Sequence, residues 1–307
     1  MQAIQVNEYG GPEQLKVVEI PKPIAHRGQV LVRVHAASFN PIDAKQVSGK
    51  MREVFPLTFP CIPGFDFSGV IDSVAENISG YQPGDLVYGT SNGAAYAEFV
   101  ATEVNKVSPK PRNLSHVEAA SLGVVAQTAL QALDHAHLQA DQTILIHGAS
   151  GAVGSAAVQL AKARGAYVIA SGSAASLDRL RSYGADQVFD YKTTPFESVV
   201  NNVDAVLDSV GGEVQQRSYT VLKPGGYLIA IAQPPSPAEA QKHGVHALFL
   251  STDSSVDTLQ RLTPLIEAGQ LRPHVAKTYP LSAASQAWQD ITTNHIDGKV
   301  VFAVIPE

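Results

Sequence analysis

The sequence has a single cysteine, Cys61, and no long apolar run or block of like charge among its 307 residues. One cysteine excludes an intrachain disulfide and a cysteine-rich structural zinc site, and it fits a reducing compartment. No stretch reaches the roughly 18 apolar residues of a membrane-spanning helix, and the opening "MQAIQVNEYG" does not resemble a secretory signal. The net charge of −6 disfavours nucleic-acid binding. We expect a cytoplasmic protein without nucleic-acid or membrane partners.

Two patterns divide the chain. The first hundred residues alternate apolar and polar side chains in short runs such as "GQVLVRVHAASF", which predicts an antiparallel, barrel-like β domain. From Ser115, which with Glu118 forms a capping-box pattern, strand-like and helix-like runs alternate, which indicates βαβ units and a parallel sheet. Strand-like spacing returns near the end in "GKVVFAVIPE". We predict a β domain at 1–119 plus 265–307 and an inserted α/β domain at 120–264.

The segment "TILIHGASGAVGSAAVQLAKARGAYVIASGS" has the order strand, glycine turn, helix, strand. The turn has the spacing of a dinucleotide-binding fingerprint, with Ala149 in the first glycine slot. Gly151 has no Cβ and lets the backbone approach a pyrophosphate, while Gly154 lets the helix pack closely on its strand. The first-turn N–H groups of the helix then face the anion. A structural glycine turn that binds nothing is the alternative.

The second strand of this segment ends at Ser171, Gly172 and Ser173 rather than at an acid. An NAD enzyme usually places Asp or Glu there to bind the ribose hydroxyls, and an acid would repel a 2′-phosphate. Hydroxyl side chains accommodate and donate to that phosphate. We predict NADPH as the cofactor, with Tyr191 closing over the same phosphate. Ordinary turn chemistry is the alternative for these serines.

The segments "HGASGAVGSAAVQLAKARGA", "GADQVFDY", "LKPGGYLIAI" and "PCIPGFDFSGVI" resemble the medium-chain dehydrogenase/reductase superfamily over essentially the whole chain. "NPIDAKQVSG" and "LFLSTDSSVDTLQRLTPLIEAGQLRP" resemble its zinc-free quinone oxidoreductase branch, closest to alkenal/enone oxidoreductases. The resemblance implies a Rossmann doubly wound parallel sheet inserted between two parts of a GroES-like β-barrel domain. It also implies a homodimer formed along the edge of the nucleotide domain.

The chain departs from the family at two kinds of position. Zinc-dependent relatives have Gly-His-Glu where this chain has Gly64, Phe65 and Asp66, and Phe65 cannot bind a metal; we expect no metal site. Where relatives often carry a lysine for the 2′-phosphate, this chain has Ser176, and the nearest cations are Arg179 and Arg181. That replacement weakens the NADPH prediction, although no acid is present either.

The cofactor contacts implied by the resemblance run from the nicotinamide end to the adenosine end and along the strand ends. They are Asn40, Thr128, Ser150, Gly151, Ala152, Val153, Ser171, Ser173, Tyr191, Val210, Ile231 and Leu250.

Without a metal, negative charge that develops on a substrate carbonyl oxygen needs protein donors. Lys45, which matches a lysine of the enone-reductase likeness, and Asn40 are the predicted catalytic donors; a solvated surface lysine is the alternative for Lys45. We expect Asp43 to orient its loop. We interpret Lys299, in "DGKVV", as a lysine at the rim of the cofactor cleft.

These observations predict a zinc-independent, NADPH-dependent oxidoreductase that transfers hydride to an α,β-unsaturated carbonyl or to a quinone. An NADPH-binding sensor or accessory protein with little turnover is the alternative. A zinc alcohol dehydrogenase is a third reading, and it requires bound metal. The physiological substrate, the proton donor and the preference between enone and quinone do not follow from the sequence.

Overall fold

The computed structural model describes residues 1–76, 78–293 and 296–305. The strands are β1 Gln2–Gln5, β2 Lys16–Glu19, β3 Gln29–Ser38, β4 Asp66–Val74, β5 Leu86–Thr90, β6 Phe99–Glu103, β7 Val107–Pro109, β8 Thr143–His147, β9 Tyr167–Gly172, β10 Gln187–Asp190, β11 Val203–Asp208, β12 Leu222–Ala230, β13 His246–Phe249, β14 Val275–Pro280 and β15 Lys299–Ala303. The helices are α1 Pro41–Val47, α2 His116–Ala120, α3 Gly123–His135, α4 Ala152–Ala163, α5 Leu177–Ser182, α6 Gly212–Ser218, α7 Pro237–His243, α8 Val256–Glu267 and α9 Ala284–Thr293. None of these helices is long and apolar enough to cross a membrane.

The described chain folds into two compact units. One comprises Met1–Val124, Ser254–Glu267 and Pro273–Glu307, and the other comprises Val125–Asp253 with Ala268–Arg272. The domain limits drawn from the sequence, 1–119 with 265–307 and 120–264, stay a prediction about folding units.

The first unit is built on a seven-stranded sheet with the order β14-β15-β3-β4-β5-β7, and β6 pairs with the amino-terminal half of β3. The pairs around β3 and β4 are antiparallel, as the alternating pattern predicts, whereas β14 and β15 are parallel neighbours. Its core contains large aromatic side chains, among them Phe67, Tyr96, Trp288 and Phe302. Burial of these side chains stabilises the sheet.

The second unit contains a six-stranded parallel sheet with the order β10-β9-β8-β11-β12-β13. Counted within the unit, this is the 3-2-1-4-5-6 order of a doubly wound dinucleotide-binding fold. Strand β8 is almost continuously apolar because both faces of a parallel sheet are covered. The strands that follow β8 in the sequence lie on both sides of it: β9 and β10 on one side, and β11, β12 and β13 on the other. Folds of this kind bind their ligands at the carboxyl ends of the strands at this point. The predicted fold class is confirmed.

Candidate active site

The turn between β8 and α4 is shaped by three glycines with different roles. Gly148 has a φ of +63°, and a Cβ there would lie 2.3 Å from the Ser209 hydroxyl oxygen. A Cβ on Gly154 would lie 2.4 Å from the Gly148 carbonyl oxygen, so this glycine lets α4 pack against the turn. A Cβ on Gly151 would meet only that same carbonyl, at 3.4 Å, and Gly151 has an ordinary φ of −69°. Its small size therefore leaves open space at the start of α4.

The amino terminus of α4 faces that open space. Gly151 is the N-cap of this twelve-residue helix, and it has no side chain with which to cap the first turn. The backbone N–H groups of Ala152 and Val153 are among the orphan donors of a helix start, and the helix dipole adds positive potential. The four predicted contacts Ser150, Gly151, Ala152 and Val153 thus form one continuous turn, whose shape fits a pyrophosphate.

The ends of β9 and β10 bring two other predicted contacts together. Tyr191 follows β10 directly, is 58% exposed, and donates its backbone N–H to the Gly172 carbonyl at 3.2 Å. Ser173 follows β9, is partly exposed, and its carbonyl accepts hydrogen bonds from the N–H and the hydroxyl of Ser176, both at 2.8 Å. The corner between these strand ends carries the side chains of Ser173 and Tyr191, together with Asp190, the last residue of β10, whose carboxylate accepts from the Lys192 N–H at 3.0 Å.

Ser171 has a different environment from Ser173. It is 3% exposed, and its hydroxyl faces the Ile146 carbonyl and Nδ1 of His147, at 3.5 and 3.4 Å. Nε2 of His147 lies 3.1 Å from the Ser218 hydroxyl, and burial lowers the pKa of His147 to about 4. This packing inside the unit does not favour direct contact between the Ser171 side chain and a phosphate.

The remaining predicted contacts of this unit lie near strand ends or on α3. Ile231 and Leu250 directly follow β12 and β13, and Val210, half exposed, lies two residues past β11. The buried Asp208 carboxylate accepts from the Val210 N–H at 2.9 Å and so fixes that loop. Thr128, on α3, shares a 2.6 Å hydrogen bond with the Thr252 hydroxyl.

In the first unit, the start of α1 is organised by Asn40 and Asp43. The Asn40 N–H donates to Oδ2 of Asp43 at 2.8 Å, which is half of a capping box, and Pro41 follows at the first helical position. The Tyr96 hydroxyl donates to the same oxygen at 2.7 Å. Burial raises the pKa of Asp43 to about 7 and holds the pKa of Tyr96 well above its usual range. Asp43 orients its loop, as expected from the sequence.

The side-chain amide of Asn40 is held on both sides by a buried ion pair. Its Oδ1 accepts from Nζ of Lys299 at 2.6 Å, and its Nδ2 donates to Oδ2 of Asp66 at 2.9 Å. Lys299 lies 3.2 Å from the same Asp66 oxygen and also donates to the Phe39 carbonyl at 2.6 Å. Asn40 is 3% exposed, so its amide keeps a fixed orientation with one N–H left to offer.

Lys299 is therefore not a rim lysine, and that interpretation is wrong. The residue is 4% exposed, because three oxygen atoms replace the water that an ammonium would otherwise require. Burial lowers the pKa of Lys299, while the Asp66 and Asp43 carboxylates oppose that shift. Sequence reasoning missed this residue because its partners lie more than 230 positions away along the chain.

Lys45 is separated from this cluster. It lies on α1, two residues after Asp43, and its side chain is exposed while that of Asp43 is buried. Its carbonyl accepts from the Ser48 hydroxyl at 3.1 Å. The structure thus brings Asn40, Asp43, Asp66 and Lys299 together and leaves the Lys45 ammonium at the surface of its unit.

A cavity of about 640 Å³ lies within the first unit, beside α1. Gln46 and Val47 line one part, Leu57 another, and Cys61, which is half-buried, also contributes to the wall. Phe67 is fully buried in the core of this unit. Within residues 1–76, 78–293 and 296–305, no group of three or more His, Cys, Asp or Glu side chains is arranged to hold a metal ion.

Comparison with known proteins places this geometry in a family. Residues 26–130 match the family "Alcohol dehydrogenase GroES-like domain", and residues 183–302 match "Zinc-binding dehydrogenase". The chain is 34% identical to the NADPH-dependent alkenal/one oxidoreductase of Arabidopsis thaliana, a match that covers 100% of this chain and 80% of that protein. It is 33% identical to the quinone oxidoreductase of Mus musculus, with 97% and 96% covered.

A solved structure extends the likeness to three dimensions. The quinone oxidoreductase from Coxiella burnetii is 33% identical, and its structure aligns with a TM-score of 0.91 over 99% of both chains. With relatives above 30% identity over nearly its whole length, this chain belongs to the medium-chain dehydrogenase/reductase superfamily, in the zinc-free branch of the quinone and alkenal/one oxidoreductases.

Proposed function

We propose that the protein is a zinc-independent, NADPH-dependent oxidoreductase that transfers hydride to an α,β-unsaturated carbonyl compound or to a quinone. This proposal rests on the start of α4, where Gly151 provides no side-chain cap, and on the end of β9, where the chain has Ser171, Gly172 and Ser173. A helix start attracts the pyrophosphate, and the missing acid removes the repulsion that a 2′-phosphate would meet. The names of the Arabidopsis and mouse relatives support the same chemistry.

The second unit would hold the cofactor along its strand ends. NADPH, when bound, supplies the hydride, and the protein supplies binding and orientation. The turn at Gly151 would donate backbone N–H groups to the pyrophosphate, and Ser173 with Tyr191 would contact the 2′-phosphate. The Ser171 side chain would support this corner from inside. The residues proposed to line the rest of the cofactor are Thr128, Val210, Ile231 and Leu250.

The first unit would stabilise the acceptor. Hydride addition to an enone or quinone leaves negative charge on the carbonyl oxygen, which hydrogen-bond donors or cations must stabilise. We assign this role to the exposed Lys45 ammonium, and the remaining N–H of the buried Asn40 amide is the second candidate donor. Lys299 and Asp66 fix that amide, so Asn40 needs no reorganisation when it donates.

Zinc-independence rests on the chemistry of the side chains. Phe65 stands where zinc-dependent relatives have histidine, and an aromatic hydrocarbon offers no lone pair to a metal.

The proposal is tested by mixing the purified protein with NADPH and either a simple enone or a benzoquinone, and by following the loss of reduced-nicotinamide absorbance. We expect turnover with at least one acceptor, unaffected by a chelator. Binding of NADPH without turnover across a broad carbonyl panel would favour the sensor alternative. Dependence on stoichiometric zinc would contradict the proposal.

A homodimer is also proposed. Within the described residues β13 pairs with β12 alone, and Leu248 and Phe249 on this edge strand are 39% and 41% exposed. A second copy would cover this edge, which is otherwise an unprotected template for strand pairing. Light scattering on a size-exclusion column tests the proposed homodimer, and a strict monomer would contradict it.

A cytoplasmic location stays a prediction that rests on the single cysteine.

A further inference from the structure

The helix that follows β9 carries two arginines that face in different directions. Residues two apart on a helix are separated by about 200° around its axis. Nη1 of Arg181 lies 2.7 Å from Oδ1 of Asp178, and both of these side chains are largely exposed. Nη2 of Arg179 lies 3.4 Å from the carbonyl oxygen of Ser150, in the glycine turn. The cation of Arg179 is therefore directed to the turn at the start of α4, and that of Arg181 is not.

Ser176 does not provide the phosphate contact that a lysine provides in relatives. It is fully buried, and its hydroxyl donates to the Ser173 carbonyl at 2.8 Å. A Cβ on Gly172 would lie 2.4 Å from the Ser176 hydroxyl oxygen, so this hydroxyl packs closely against Gly172 at the end of β9. Arg179 comes three residues later, one helical turn along the same side of this segment.

Arg179 reaches the glycine turn at Ser150, the residue after Ala149, and the Ala149 N–H donates to the Ser171 carbonyl near the end of β9 at 3.0 Å. The ends of β9 and β10 form a corner beside this turn. Ser173 and the exposed Tyr191 lie there, and the backbone of Tyr191 is bonded to Gly172. A guanidinium has five N–H donors in a fixed fork and stays charged at neutral pH, which suits it to phosphate. A guanidinium can in general contact a backbone carbonyl and a phosphate at the same time.

We propose that Arg179 binds the 2′-phosphate of the cofactor and sets the preference for NADPH over NADH. Arg179 would take the role of the lysine that relatives often carry where this chain has Ser176. The assignment rests on the proposed function, because it presupposes a nicotinamide dinucleotide at the glycine turn. It differs from the sequence prediction, which placed only hydroxyl groups at that phosphate.

The test is direct binding rather than activity. Isothermal titration with adenosine 2′,5′-bisphosphate, AMP, NADPH and NADH compares two pairs of probes that differ by the 2′-phosphate. We expect Arg179→Gln to weaken binding of the bisphosphate and of NADPH by about 10- to 100-fold, the range for a lost charge-assisted hydrogen bond. Binding of AMP and NADH should change less than about twofold. Arg179→Lys should restore part of the loss, because it keeps the charge without the fork.

Arg181→Ala is the matched control, since it removes a cation from the same helix without changing the turn. It should leave all four affinities within about twofold. Equal loss of NADPH and NADH binding in Arg179→Gln would show that Arg179 only shapes the turn and would overturn the assignment. An unchanged NADPH affinity would overturn it as well. A wild-type protein that does not distinguish the bisphosphate from AMP would refute the NADPH part of the proposed function, and the assignment with it.

Discussion

Replacing Lys299 by methionine tests the buried ion pair of the first unit. The substitution keeps most of the side-chain volume and removes the ammonium from three oxygen atoms. It leaves the Asp66 carboxylate, which is 0% exposed, without a counter-charge. Removing one partner of a buried pair costs about 3–5 kcal/mol. Asp66 retains hydrogen bonds from Ser38, Asn40 and the Val124 N–H, so we expect the lower end, about 3 kcal/mol.

Urea unfolding followed by tryptophan fluorescence measures this effect. The chain has one tryptophan, Trp288, which is 2% exposed in the core of the first unit and therefore reports on the unit that contains the pair. Lys277→Met is the control, because Lys277 pairs with Asp290 at the surface, where solvent screens the charges. Its midpoint should stay close to that of the wild type.

The double variant Lys299→Met with Asp66→Asn separates charge from packing. Without the ammonium, the Asn40 amide can turn so that its Oδ1 faces the new amide, and no charge stays buried. We expect the double variant to recover at least about 2 kcal/mol of the loss. A loss below about 1 kcal/mol in Lys299→Met, or no recovery in the double variant, would refute the claim that Lys299 acts by neutralising Asp66.

Three further predictions concern the site and the sheet. Lys45→Ala should lower kcat by about 10- to 100-fold, while the dissociation constant of NADPH should change less than about twofold. Lys50→Ala, at another exposed lysine, is the control. An unchanged kcat in Lys45→Ala would show that Lys45 has no part in catalysis. Ser173→Asp should shift the ratio of NADPH to NADH affinity towards NADH by about tenfold, because a carboxylate repels the phosphate; an unchanged ratio would place the phosphate elsewhere. The pKa of His147 falls from 6.5 to about 4 on folding, so the folded state resists protonation: stability is full above pH 6.5 and declines by about 3 kcal/mol as the pH falls to 4. His147→Gln should lose this dependence in chemical-denaturation curves recorded across that range, and identical pH profiles would contradict the assignment.

The nucleotide-binding unit could be predicted from sequence because its signals are local. The strand, glycine turn and helix around Gly151 follow one another within about twenty residues, and each obeys its own periodicity. The positions of Ile231 and Leu250 follow from the same logic, since parallel strands end at one edge of the sheet.

Side-chain direction was harder to predict. Ser171 and Ser173 are equivalent in sequence, yet one hydroxyl packs against His147 inside the unit and the other lies in the exposed turn. Lys299 was misinterpreted for a related reason. A lysine is ordinarily exposed, and only tertiary contacts with Asn40 and Asp66 make its burial favourable.

The division of the first unit along the chain has a consequence for biosynthesis. Strand β15 pairs with the end of β3 at Val301 and Ser38, so the ribosome must translate the whole intervening unit before that pairing can form. Lys299 opens β15, so the ammonium that neutralises Asp66 emerges only after that intervening unit. Until then the nascent barrel carries an open strand edge and an uncompensated carboxylate, whereas the contiguous stretch 125–253 can already close its own sheet.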